Sequence, residues 1–470
     1  MSLATRISIL LVALAPTACQ TYEPKPLDPE AILAAVDRAR RFPDVVDAAA
    51  GAADRRPVFT FARAADLLAR HGPSLKEARA AYETALVLAR VPTPFPNPTL
   101  AVGPHFGFGP DARSRHVQPF GSLGITLPLG GRLGEQDEVN RVAAEAAQVE
   151  MQARHREAYL DLRRQYAAWV VAHERLRIRD DLSADADRLL DVGRRLLEGG
   201  RLSAMDLGLL ELEAERIRAG ALDAQGGIAD LAGELSQATG VHADAFLPLP
   251  APALPDLPRE IPALAFLRSQ LTASHTELGR LRARYEVAER ELRLEVAKQY
   301  PDLTIGPSVE RETGEQKTVL GLAIGIELPL FDRNQPGIAT AAQRREEVRA
   351  AYEAAASRAL AALERAARKV RVAAEKRARI RDGLLPKAQA QLDLARKALL
   401  AGAIDALQLL VAVRGWRAAR LESLDADVEL WTAWVDLERA VGCPLVRFPG
   451  ETDVPAPAPV LDGAEAQDQE

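Results

Sequence analysis

Shifted by 203 residues, positions 73–104 of the chain align with 276–307 without a gap. Leu75 meets Leu278, Arg79 meets Arg282, Tyr82-Glu83 meets Tyr285-Glu286, and Gly103-Pro104 meets Gly306-Pro307. Shifted by 202, positions 200–240 align with 402–442, setting Gly200 against Gly402, Ala204 against Ala406, Leu207 against Leu409 and Gly240 against Gly442. A chance match of two Ala- and Leu-rich helices would not also align Gly, Pro and Tyr at nearly one offset, so the chain is an internal duplication. Length alone, 470 residues, would have suggested about three unrelated domains.

Each copy follows one plan. The first repeat, 58–240, reads as a helix over 58–91, strands over 98–109 and 118–128, and helices over 135–198 and 203–239. The second, 261–442, reads as a helix over 261–299, strands over 302–311 and 318–328, and helices over 336–400 and 405–441. A linker, 241–260, joins them. Segment 20–57 precedes the pair and a tail, 443–470, follows it, rich in Pro and acids and expected to be disordered from 450 on. At 1.5 Å per residue each long helix extends roughly 96 Å, deeper than any compact core, which leaves coiled coils or the walls of a tube. Ala-rich stretches (Ala143-Ala144, Ala354-Ala355-Ala356) let such helices pack closely on two flanks. Pro386 removes a backbone hydrogen bond inside the second long helix and favours a kink there.

The strands alternate strictly. Leu100, Val102, Phe106 and Phe108 oppose Ala101, Gly103, His105 and Gly107; Leu123, Ile125 and Leu127 oppose Ser122, Gly124 and Thr126. Leu303, Ile305 and Val309 oppose Thr304, Gly306, Ser308 and Glu310; Leu320, Leu322, Ile324 and Ile326 oppose Gly321, Ala323 and Gly325. This is the pattern of a membrane barrel strand, and equally that of a half-buried soluble sheet. Four strands cannot close a barrel, for which about eight is the small limit, so membrane strands would have to be pooled among chains.

Arg6, the apolar run Ile7 to Ala15, and Pro16-Thr17-Ala18 read as a secretory signal over 1–19. Cys19 after Thr17-Ala18 resembles the acylated cysteine of bacterial lipoprotein signals; the alternative is an ordinary signal peptide. No later apolar run is long enough to span a bilayer as a helix. A net charge of −6 leaves no footprint for nucleic acid. Two cysteines make neither a disulfide scaffold nor a four-cysteine metal site, and Cys443 is expected to stay unpaired. No phosphate loop or His-Glu-x-x-His is present, so no enzyme activity and no cofactor are expected. Of seven scattered histidines, His105 and His116 alone could meet near the first hairpin, a poor ligand pair without a carboxylate or thiolate.

Particular stretches carry a family likeness. Asn97-Pro98-Thr99-Leu100 leads into the first strand, and Leu328-Pro329-Leu330-Phe331-Asp332-Arg333-Asn334-Gln335 leaves the last. Leu385-Pro386, then Leu400-Ala401-Gly402 and Leu409-Leu410, mark the second turn, and Leu437 to Gly442 closes the last helix. Together these resemble the TolC-type outer-membrane efflux proteins over about 58–442, especially those of heavy-metal (cobalt–zinc–cadmium type) RND efflux systems. His71-Gly72-Pro73 and Ser274-His275-Thr276 depart from the family's usual Asn-Pro, and Leu399-Leu400 stand where it usually has a Tyr.

The resemblance implies an α+β membrane protein built from the duplicated helix–strand–strand–long helix–helix unit. It implies a homotrimer with a 12-stranded outer-membrane β-barrel continued by a 12-helix periplasmic α-barrel. It further implies a periplasmic adaptor and an inner-membrane RND-type pump as partners, outer-membrane lipid around the barrel, and metal cations as cargo. The alternative is a periplasmic coiled-coil adaptor or spacer lipoprotein. The turns at 199–204 and 401–406 would form the periplasmic tip. Docking candidates there are Gly199, Gly200, Arg201, Leu202, Ser203, Gly402, Ala403 and Ile404. Gate candidates are Asp206, Asp405, Gln408 and Leu409, since a ring of carboxylates would hold cations and repel anions. The competing role for the two acids is helix capping.

Overall fold

The computed structural model describes residues 22–41, 58–106, 117–200, 202–258, 260–312, 317–448 and 451. Along the chain run α1 (Pro29–Arg40), α2 (Phe61–His71), α3 (Pro73–Arg90), β1 (Thr99–Phe106), β2 (Val117–Pro128), α4 (Arg132–Glu198) and α5 (Ala204–Thr239). The second repeat supplies α6 (Leu264–Ser274), α7 (Thr276–Ala297), β3 (Asp302–Glu312), β4 (Lys317–Ile326), α8 (Gln335–Arg379), α9 (Leu385–Leu400) and α10 (Ala406–Val441). Positions 107–109 of the expected first strand lie outside the described residues, and the last strand ends at Ile326 rather than at 328.

Two helices expected to be continuous are each broken. Gly72 and His275 both sit in extended backbone, φ −53°, ψ 119° and φ −67°, ψ 120°. Gly72 precedes Pro73, whose ring excludes the helical conformation from the residue before it. His275 instead turns its ring to accept from the backbone N–H of Leu278 and starts a new helix. The two breaks hold matching places in the two repeats. Gly240 ends α5 against the carbonyl of His71, and Gly442 ends α10 against that of Ser274. A Cβ at either glycine would lie 2.7 Å and 2.4 Å from those oxygens.

The second long helix is interrupted as Pro386 requires. Residues Ile380–Leu384 form one π turn between α8 and α9. A proline at 386 cannot donate to Asp382 and its ring crowds that carbonyl, and the wider turn relieves both. Its counterpart α4 is unbroken over 67 residues, roughly 100 Å.

In the half next to the sheet the helices pack in the order α3, α4, α7, α8; in the far half the order is α5, α4, α10, then α8 and α9. Each long helix therefore serves two bundles. The main core lies where the halves meet. Trp169, Trp434, Tyr166, Phe59, Phe61 and Phe246 are at most 2% exposed there, the last from the linker. Phe448 stacks on Phe61 and on Trp431, with ring centroids 4.6 Å and 5.4 Å apart. At this core Arg163 is fully buried, bonded to Glu438 at 3.0 Å and 3.1 Å, to Glu451 and to the Val446 carbonyl. The expectation of a disordered tail from 450 is thus corrected at Glu451, which Arg163 holds inside beside Glu438; 452–470 lie outside the described residues. Cys443 is a free thiol, half-buried.

Candidate functional site

The four strands make one antiparallel sheet in the order β1-β2-β3-β4, shared by both repeats. Its register gathers the alternating apolar residues on one face: Leu100 lies beside Leu123, Ile125 beside Ile305, Ile305 beside Ile324, and Val309 beside Leu320. The other face carries Ala101 beside Ser122, Thr126 beside Thr304, and Ser308 beside Gly321. Pairing of β2 with β3 lapses at Leu123-Gly124, opposite Gly306-Pro307. Pro307 has no N–H to offer, and a Cβ on Gly306 would fall 1.7 Å from the Leu123 carbonyl oxygen.

No helix covers either face among the described residues. Leu320 is 80% exposed, Val102 75%, and Leu322 and Ile324 66% each. Among the described residues both edges, β1 and β4, end without a partner strand. On the polar face the His105 ring stacks over Phe120 at 4.7 Å and reaches across β2 to Glu310, 3.1 Å from Nδ1. The partner found for His105 is thus a carboxylate two strands away; His116 lies outside the described residues. No group of three or more metal-ligating side chains occurs among the described residues.

The sheet is pinned to the helices at three points. Thr93 donates its N–H and hydroxyl to Asp137 at 2.7 Å and 2.6 Å on the way into β1. Arg132, first in α4, pairs with Asp302, first in β3, at 2.6 Å. Asn334, between β4 and α8, is left-handed at φ 58° and donates to the carbonyl and carboxylate of Glu295, 2.9 Å and 2.7 Å away.

At the far end the chain turns twice. Gly200 and Gly402 take φ of 66° and 73°, left-handed values that cost little only for glycine. Gly199, Gly402 and Ala403 are exposed, Leu202 and Ile404 half-buried, and Arg201 lies outside the described residues. Ser203 and Asp206 form a reciprocal cap on α5, the hydroxyl accepting from the Asp206 N–H at 3.1 Å. Asp405 caps α10, accepting from the Gln408 N–H at 2.8 Å. Both acids therefore do the capping job weighed against gating. Gln408 is exposed, whereas Leu409 is 1% exposed inside the hairpin core, which corrects its placement among residues facing a lumen. Sequence reading missed Glu213, buried between the hairpins and paired with Arg414 at 2.9 Å and Arg417 at 2.7 Å. Its signal, an acid on the buried stripe of α5, was visible. Cys19 lies outside the described residues.

A sheet open on both faces and long paired helices define the class. Residues 267–443 match the family model described as outer membrane efflux protein. A curated relative is the cobalt-zinc-cadmium resistance protein CzcC of Cupriavidus metallidurans, 24% identical over 371 residues, covering 77% of this chain and 84% of that one. The solved outer membrane protein VceC of Vibrio cholerae superposes with a TM-score of 0.65 at 16% identity, over 82% of this chain and 97% of that one. The outer-membrane channel OprN gives 0.66 at 18%, over 84% and 95%.

Proposed function

We propose that the chain is one protomer of an outer-membrane efflux channel, the passive exit duct of a tripartite system. The observation that carries this is the open sheet. Its apolar face needs a cover that the chain's own helices do not supply, and its edges carry unpaired N–H and C=O groups. Lipid on the apolar face and strands of further copies at both edges answer both needs, and a closed barrel is the form of sheet that a bilayer accepts. Three copies would pool twelve strands, and the small and polar residues would then line a wet lumen. The likeness to VceC and OprN supports the same architecture.

In this reading the helices continue the lumen through the periplasm, and the turns at 199–204 and 401–406 are its inner end. Exposed Gly199, Gly200, Gly402 and Ala403, with Arg201, Leu202, Ser203 and Ile404, would meet a periplasmic adaptor serving an RND-type inner-membrane pump. Asp206, Asp405 and Gln408 would stand near the entrance, and Cys19 would carry lipid in the outer membrane. Metal cations are the proposed cargo, supported by the likeness to CzcC. The duct needs no tight metal site of its own, since tight binding slows exit.

The test is fractionation of expressing cells, then crosslinking of the outer-membrane fraction. A detergent-stable trimer in outer membranes is the expected result. A monomer in the soluble periplasm would overturn the reading. Cargo is tested by deleting the gene and comparing growth in cobalt, zinc and cadmium with growth in drugs.

A further inference from the structure

Packing order leaves each protomer with two unlike flanks. In the far half, helices run from α5 through α4 and α10 to α8 and α9, so α5 bounds one flank and α8–α9 the other. The sheet ends in the same sense: edge strand β1 follows α3, which packs on α4 and touches α5, and edge strand β4 leads on to α8.

The flanks carry opposite charge. Residues 204–239 hold seven acids and two arginines, whereas 365–400 hold eleven bases and three acids. The buried side of α5 is set by Leu210, Ala214, Ile217, Ala224 and Ile228. At 100° per residue its opposite side bears Leu212, Leu222, Asp223, Gly226, Asp230 and Gly233. Leu222 is 68% exposed, and a Cβ on Gly226 or Gly233 would meet nothing within 4 Å. On α8 the buried side is Leu363, Ala366, Ala367, Val370 and Ala373. Its opposite side bears Arg365, Arg368, Val372 and Arg379, with Val372 63% exposed. Asp223, Asp230, Glu234, Arg365, Arg368 and Arg379 are all exposed. They form no ion pair within the described chain, unlike their neighbours Lys369, Lys376 and Arg377, which α10 already holds.

The heights also agree. Glu213, thirteen residues past Gly200, pairs with Arg414, twelve past Gly402, so the two turns end at one level. Asp223 lies 23 residues from Gly200, and Arg379 lies 23 from Gly402. Glu234 and Arg368 each lie 34 residues from the same two glycines. At 1.5 Å per residue the pairs sit roughly 35 Å and 51 Å above the turns.

We propose that copies of the chain meet head to tail, α5 of one antiparallel to α8 of the next, with Asp223 against Arg379 and Glu234 against Arg368. The inference rests on the ring-forming reading of the preceding subsection and adds the charged pairs and the register of contact. Gly226 and Gly233 leave room on the α5 face for the longer side chains of α8. The charges select the partner flank and its register: acid against acid forbids α5 meeting α5, and base against base forbids α8 meeting α8. The same closure sets the free edge of β4 beside that of β1. Such a contact is heterologous, so it gives no two-fold dimer and forms a ring where the rotation closes.

The test uses the full chain in outer membranes in a Cys443→Ser background. Under mild oxidation, D223C/R379C is expected to give disulfide-linked dimers and trimers. D223C/R368C, mismatched by eleven residues or roughly 16 Å, is expected to give none. D223R and R379D are each expected to lower trimer recovery several-fold, and D223R/R379D to restore it. Trimers that form without linkage of the matched pair, or with equal linkage of the mismatched pair, overturn the register while leaving the duct reading intact. Absence of any trimer from the unaltered chain overturns both.

Discussion

Replacing Arg163 with methionine tests whether the main core depends on one buried cation. The guanidinium is 0% exposed and Glu438 and Glu451 are 1% and 4% exposed. Burial works to lower the Arg163 pKa, but the two carboxylates outweigh it and hold the group charged. The rings of Phe61 and Phe448 flank it at 5.4 Å and 4.8 Å. R163M keeps the apolar stem and strands two carboxylates with no counter-charge. Removing one partner of a buried pair costs about 3–5 kcal/mol, which raises the unfolded fraction on the order of a hundredfold to a few thousandfold. R163M/E438Q/E451Q removes every charge, while the amide introduced at 438 still accepts from the N–H groups of Leu445 and Val446. Its loss is expected to be less than half that of R163M, because uncharged isosteres of buried pairs are close to neutral. Guanidinium unfolding of the detergent-solubilised protein, followed by fluorescence, is a direct assay, since Trp169, Trp431 and Trp434 belong to this core. R163M within about 1 kcal/mol of the parent, or a triple variant no better than R163M, would refute the reasoning.

Three further outcomes are expected. His155 is 3% exposed, and burial, with Arg156 adding to it, lowers its pKa from the ordinary 6.5. Its stabilising share is therefore complete above about 6.5 and is lost as pH falls through the lowered value. The parent should lose stability as pH falls below the ordinary histidine value of 6.5, and H155Q should lose less, by the same unfolding assay. G306A forces a Cβ into the Leu123 carbonyl, and overpacking of this kind costs about 1–3 kcal/mol. On the trimeric reading proposed above, heat-stable trimer recovered from outer membranes should fall, whereas A323G, on the same face, should have little effect. D405A should destabilise the second hairpin by about 0.5–2 kcal/mol and D405N by far less, since asparagine caps equally well. If the carboxylate also lines the entrance, D405N will reduce cation selectivity in bilayer recordings; unchanged selectivity leaves Asp405 a cap alone.

Much of this was legible because the physics is local. Alternation in β1 to β4 marked both strands and faces, since side chains of a strand alternate whatever it packs on. The turn at Gly200 and its copy at Gly402 showed as glycine followed three residues on by Ser203 or Asp405, a helix stop and a helix start. The break at Gly72-Pro73 was equally present, but a continuous helical pattern on either side overrode it. His275 gave less warning, since a histidine cap has no strong sequence signature. Register between β2 and β3 was hidden, because nothing within either strand says that Gly306 must face Leu123. The Arg163 cluster was hidden for a related reason: its carboxylates lie 275 and 288 residues away, and one fell in a stretch whose composition reads as tail. Paired acids and bases on α5 and α8 were countable from the start, but only the packing order shows that those helices bound the protomer.

The cluster around Arg163 also bears on the order in which the molecule can be made. A chain emerging from its N-terminus offers Phe59 and Phe61 early and Arg163 soon after, hundreds of residues before Glu438, Phe448 and Glu451 arrive. Until they do, the arginine has no anion and the aromatic rings no lid, so the centre of the molecule stays wet and open to proteases. A chain that stopped short of Val446 and Glu451 would therefore leave Arg163 and its aromatic neighbours uncovered, however well its first repeat had paired its helices.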